Sequence, residues 1–115
     1  MNTESLLKPS YIITKKNLIA NIDFSTKLIN QWSTINNDDP HALTELLKNM
    51  SAGLSLIIFC KASAKFYYQE DKTSENNLLY TYYDDAFSAC KQIMSSLMTV
   101  ISSLKHEKYL NQYGT

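Results

Sequence analysis

His41, His106, Cys60 and Cys90 are the side chains best suited to acid–base, metal or nucleophilic chemistry near neutral pH. His41 follows Pro40 at a helix start. His106 falls in the last turn of a helix, where a partial positive charge is favourable. A metal site inside a bundle wants Glu-x-x-His pairs on facing helices. No glutamate stands three residues before either histidine, so both read as solvated helix-end residues. The stretch "HALTELLKNMSAG" holds the histidine, lysine and glycine of a phosphotransfer helix, but at the wrong spacing and with the histidine at the helix start. A helical ribonuclease with an Arg-to-His motif is excluded, because the chain has no arginine.

A reactive cysteine needs an electropositive, partly exposed setting and a neighbouring base. Cys90 lies between Ala86 and Ile93 on an apolar stripe. Cys60 sits between Phe59 and Lys61. Both read as small core hydrophobes in a reducing compartment. No catalytic, cofactor-binding or metal-ligating set emerges, and the expected role is non-enzymatic.

The other dense chemistry is aromatic and acidic. "LLYTYYDDAF" packs Tyr80, Tyr82, Tyr83, Asp84 and Asp85 into ten positions. Phe66, Tyr67 and Tyr68 close the preceding helical pattern. A short polar loop between the two brings the rings to one end of a bundle. Tyr83 and Phe66 suit the end of a core, since a tyrosine hydroxyl can still reach water. Tyr82 falls off its helix stripe and is expected to face outward. Tyr67 and Tyr68 are adjacent and cannot both point inward. Outward tyrosines beside carboxylates have the composition of a protein-binding surface. Tyr67, Tyr68, Tyr80, Tyr82, Asp84 and Asp85 are therefore the candidate contact residues, suited to a lysine-bearing partner.

These residues are carried by an all-α pattern. The chain of 115 residues fits one domain, with 1–13 as an N-terminal arm and 111–115 as a fraying tail. The arm is open to a short fourth helix, with Ser10 or Thr14 as a cap. Glycine and proline occur twice each, which leaves room for long helices. Leu18, Ile22, Ile29 and Trp32 predict a first helix over about 15–35, thin at Ser25. Asp39 as N-cap and Pro40 at the first position predict the next start. Leu43, Leu47, Met50, Leu54 and Ile57 carry that helix to about Tyr68, with Leu46, Ile58 and Ala62 widening its face. Lys61 breaks the stripe, and Gly53 offers close approach to a neighbour. Leu79, Tyr83, Ala86, Cys90, Ile93, Leu97, Val100 and Leu104 predict a third helix from Ser74 to about Leu110. A second row, Tyr80, Phe87, Met94 and Ile101, broadens it.

Three long helices with short polar loops predict an antiparallel bundle. The wide apolar faces predict a homodimer. Eleven lysines balance eleven acids, which with the missing arginine argues against nucleic acid. The N-terminus lacks signal-peptide organisation. The longest apolar run, "LSLIIFC", falls far short of the ~20 residues of a membrane span. The expectation is a cytoplasmic protein, with signal-independent export left open. The expected function is to bind, inhibit or regulate another protein, in the manner of bacterial immunity proteins, antitoxins and effector inhibitors. A self-associating adaptor or secretion chaperone, and a secreted effector, are the alternatives.

Overall fold

Thr14 opens the first helix. Its Oγ1 accepts the Asn17 backbone N–H at 3.2 Å, and α1 runs Lys15–Asn30. The computed structural model describes residues 11–35 and 38–113. Among these it holds α1, α2 (Pro40–Glu70) and α3 (Ser74–Tyr113), with no strand. The expected fourth helix and most of the arm lie outside the described residues, as do Asn36 and Asn37 of the first polar break.

Two helix ends differ from expectation. α1 stops at Asn30 and tightens into a 3₁₀ turn, Gln31–Ser33, rather than continuing to Ile35. Ser33 and Thr34 hydroxyls donate to the Asn30 and Gln31 carbonyls at 2.8 and 3.2 Å. That local bonding competes with the helical ladder. Trp32 sits in this turn and packs half-buried on the core. At the other end, α3 continues through Asn111 and Gln112 to Tyr113. No glycine or proline intervenes before Gly114 to stop it.

α2 starts as its sequence signals. Asp39 Oδ1 accepts from the His41 and Ala42 N–H groups at 3.0 and 3.3 Å, with Pro40 at the first position. Thr73 does the same for α3, accepting from Asn76 N–H at 3.2 Å. Contacts between α2 and α3 run in opposite chain directions: Asn76 to Tyr67, Asp84 to Lys61, Cys90 to Met50. α1 lies against both.

Two apolar clusters form the core. The larger joins Leu28 to Leu43, Leu46, Met50, Ile57, Ala86, Cys90, Leu97 and Ile101. The smaller, toward the α2–α3 turn, joins Ile13, Leu18, Cys60, Ala64, Leu79 and Tyr83. At Gly53 α1 comes close to α2: a Cβ built there would overlap Leu28 Cδ2. Ser25, the thin point of the α1 stripe, is fully buried. Ile58, expected to widen the α2 face, is instead 46% exposed. Leu43 and Ile101 share a cluster, so the turns of α3 after Leu104 run past the start of α2. Tyr109 and Leu110 there are exposed.

By length and mean hydropathy α2 is long and apolar enough to cross a membrane, a property it shares with core helices of soluble proteins.

Candidate protein-binding surface

The α2–α3 turn is built from hydrogen bonds before any tyrosine is placed. Asn76 is buried, and its Nδ2 donates to the Asp71 and Tyr67 carbonyls at 2.8 and 3.3 Å. Both carbonyls lie at the end of α2 and also accept a backbone N–H, Tyr67 O from Asp71 at 3.0 Å and Asp71 O from Thr73 at 2.9 Å, so Asn76 adds a second donor to each. Asn76 thus ties the end of α2 to the start of α3, and fixes where Tyr67, Tyr68, Tyr80, Tyr82 and Tyr83 meet.

Tyr83 is fully buried, and its hydroxyl donates to the Leu18 carbonyl of α1 at 2.5 Å. Burial holds the phenol neutral and pushes its pKa well above 10.0. Tyr82 departs from expectation: it does not face outward. Its hydroxyl donates to the Ile22 carbonyl at 3.0 Å and lies 2.7 Å from Thr26 Oγ1. Its ring meets Tyr83 edge-on at 5.0 Å. The α3 stripe faces α2, and α1 packs on a second side of α3, where Tyr82 lies. Adjacent tyrosines therefore grip carbonyls one turn apart on α1.

α2 does the same to the arm. Ser63 Oγ accepts the Ile13 N–H at 2.9 Å, and one turn on the Tyr67 hydroxyl donates to the Ile13 carbonyl at 2.9 Å. The Lys15 ammonium lies 5.7 Å from the Tyr67 ring centre. Tyr67 and Tyr82 thus spend their polar ends inside the molecule.

Three of the other candidates, Tyr68, Tyr80 and Asp84, share the far side of the α2–α3 pair. Tyr68 and Tyr80, both half-buried, stack at 6.2 Å. Asp84 pairs with Lys61 at 3.1 Å. The Lys61 ammonium also lies 4.4 Å over the Phe87 ring, and Lys91 approaches the same ring at 5.0 Å. This is why Lys61 is tolerated on the α2 stripe: its stem is covered and its charge is met twice. Asp85 is exposed, on the α1 side of α3 beside Tyr82. The six candidates thus divide between two sides of α3 and do not form one patch.

The remaining chemistry is quiet. Cys60 and Cys90 are free and buried. Burial raises both thiol pKa values, opposed at Cys60 by hydrogen bonds from Tyr83 and Asn21. Neither has the exposed, electropositive setting that yields a thiolate. Among the described residues no three His, Cys, Asp or Glu side chains gather as a metal would need.

The surface also holds what periodicity passed over. Leu78 is 69% and Ile19 52% exposed, and Phe24, Phe59 and Met98 are each about half exposed. The signal was present in the sequence: each is a large apolar residue lying off its helix's core stripe. No protein-family model, curated protein or solved structure matches the chain.

Proposed function

We propose that this chain is a small non-enzymatic protein-binding module, an antiparallel three-helix bundle that inhibits or regulates a partner protein. The observation that carries this reading is the set of large apolar side chains left in water around α1 and α3, led by Leu78 and Ile19. Scattered exposed hydrophobes are ordinary, but these two line one groove together. Among the described residues the two thiols are buried with raised pKa values, which supports a binding role over a cysteine nucleophile. The cytoplasm suits two free thiols, and a core role for α2 is supported by the residues it buries, among them Leu43, Met50, Ile57 and Cys60. Homodimerisation is a second reading, favoured by Ile58 and Met98 remaining about half exposed on the side away from α1.

The test is quantitative affinity capture from the native lysate with wild-type chain and Leu78→Asp, alongside light scattering of the purified protein. The expected result is one stoichiometric partner, lost with Leu78→Asp at unchanged thermal midpoint. Recovery of the chain alone, with a dimer mass in solution, favours the self-associating adaptor and overturns the inhibitor reading.

A further inference from the structure

We infer that the groove between α1 and α3 receives an amphipathic helix of a partner protein, apolar on its inner face and flanked by lysine or arginine. This rests on the protein-binding reading and names its surface and the partner's chemistry. Two apolar hollows follow one another along this groove. The first, about 480 Å³, is floored by Ile19, Ile22, Leu78 and Leu79. The second, about 220 Å³, is floored by Ile29, Ala86 and Ala89. The Tyr82 ring lines both. Its hydroxyl is already bonded to α1, so it offers a fixed apolar face and no free polar demand.

From Leu78 to Ala89 the groove is ~16 Å long, about three turns of helix. A channel between two helices takes a third helix by ridge-and-groove packing. The molecule already does this once, seating α1 against α2 and α3 with Gly53 opened for Leu28. Charge selects the occupant. Glu75 and Asp85, both exposed, stand on the α3 rim of the first and second hollows. Among the described residues no lysine lines either hollow. Asp23 is already paired with Lys27 at 2.9 Å. The far side of α3, by contrast, has Lys91 and the α2 residue Lys61, itself paired with Asp84, around Phe87. An acidic helix would be repelled from the α1–α3 groove, and a basic one drawn to it.

The experiment uses the full ¹⁵N-labelled chain and two designed helical peptides with one leucine-rich face, flanked by lysine in one and glutamate in the other. The expected result is that the lysine peptide shifts amides around Ile19–Ile22 and Leu78–Tyr82. It should bind at least tenfold tighter than the glutamate peptide at low salt, with binding lost in Leu78→Asp. The pair Glu75→Lys and Asp85→Lys should reverse the preference. Leu78 is mostly exposed, so its variant keeps the fold, checked by an unchanged thermal midpoint. Equal binding of both peptides, or binding of neither, overturns the proposal. Shifts confined to the Phe87 and Met94 side overturn it too, yet leave the protein-binding reading standing. Concentration-dependent shifts at the groove without peptide assign it to a second copy instead.

Discussion

The α2–α3 pair and the attachment of α1 are held by different chemistry. Between α2 and α3 the contact is mainly apolar: Leu43, Met50, Ile57, Ala86, Cys90 and Leu97 are buried with few polar bonds among them. α1 and its leading arm are held by side chains gripping backbone. Ser63 and Tyr67 hold Ile13, Tyr83 holds Leu18, and Tyr82 holds Ile22. Non-directional burial tolerates small shifts, while hydrogen bonds to fixed carbonyls set position along the helix. The pair supplies stability, and the tyrosines supply the register in which α1 lies on it.

The largest expected effect tests that division. Leu97→Ala should cost about 2–5 kcal/mol and lower the thermal midpoint by roughly 10 °C or more, unfolding the chain as a whole. Leu18→Ala removes the same atoms from the α1 contact. Its loss should appear first as faster amide exchange in α1, with α2 and α3 still protected. Equal global loss in both variants breaks the comparison, because α1 would then be part of one cooperative unit.

Next comes Gly53. A valine there meets Leu28 directly, and such overpacking costs about 1–3 kcal/mol. Valine is a poor helix former but still better than glycine, so the substitution also gains roughly 0.3 kcal/mol of propensity. The two act on different regions, so Gly53→Val should loosen α1 while leaving α2 at least as protected as before. Hydrogen exchange resolved by residue reads both. A loss of protection throughout α2 would mean that Gly53 serves α2 itself and not the approach of α1.

This is also where sequence reading reached its limit. The α2–α3 apolar rows, the Asp39–Pro40 start and the close approach at Gly53 were legible, since spacing and local caps are written in one strand of text. Tyr82 was not. Its angle on α3 says which side it occupies, but not that another helix waits there with the Ile22 carbonyl. The same limit hides the Ser63–Ile13 bond, between residues 50 apart in the chain. The end of α1 was missed because the periodic stripe carries through Trp32 while Ser33 and Thr34 turn the backbone away. Leu78 and Phe24 lie exposed off their helix stripes, and the candidate surface is better sought there than in the tyrosine hydroxyls.

A smaller effect sharpens the role of those hydroxyls. Tyr83→Phe and Tyr82→Phe should each cost about 0.5–1.5 kcal/mol, the buried Tyr83 the more, with partner binding unchanged at the ring of Tyr82. Alkaline titration separates them. The folded phenol of Tyr83 has its pKa raised above the ordinary 10.0 by burial. Below that value both folded and unfolded chains hold the proton, and its stabilisation is complete. Above it the unfolded chain ionises first, so stability falls as pH rises toward the raised folded value. The buried thiols act in the same direction from about 9.0 upward. Urea unfolding at pH 8 to 11 should therefore show a steep loss in wild type, and a shallower loss above pH 10 in Tyr83→Phe. Parallel curves would remove Tyr83 from the account.

The smallest predicted effect has the opposite sign. Ser25 lies fully buried at the centre of the α1 stripe, and its Oγ finds no hydrogen-bond partner among the described residues. An unsatisfied buried hydroxyl carries a desolvation cost with no return. Alanine keeps nearly the same volume and removes that cost, so Ser25→Ala should stabilise by up to about 1 kcal/mol and raise the midpoint by a few degrees. The gain should concentrate in α1, since the change touches no contact between Leu43 and Leu97. A lowered midpoint would show instead that Oγ is bonded in solution, most simply back to a carbonyl of its own helix. The polar means of attaching α1 would then extend to its centre, and the contrast between the two regions would be stronger still.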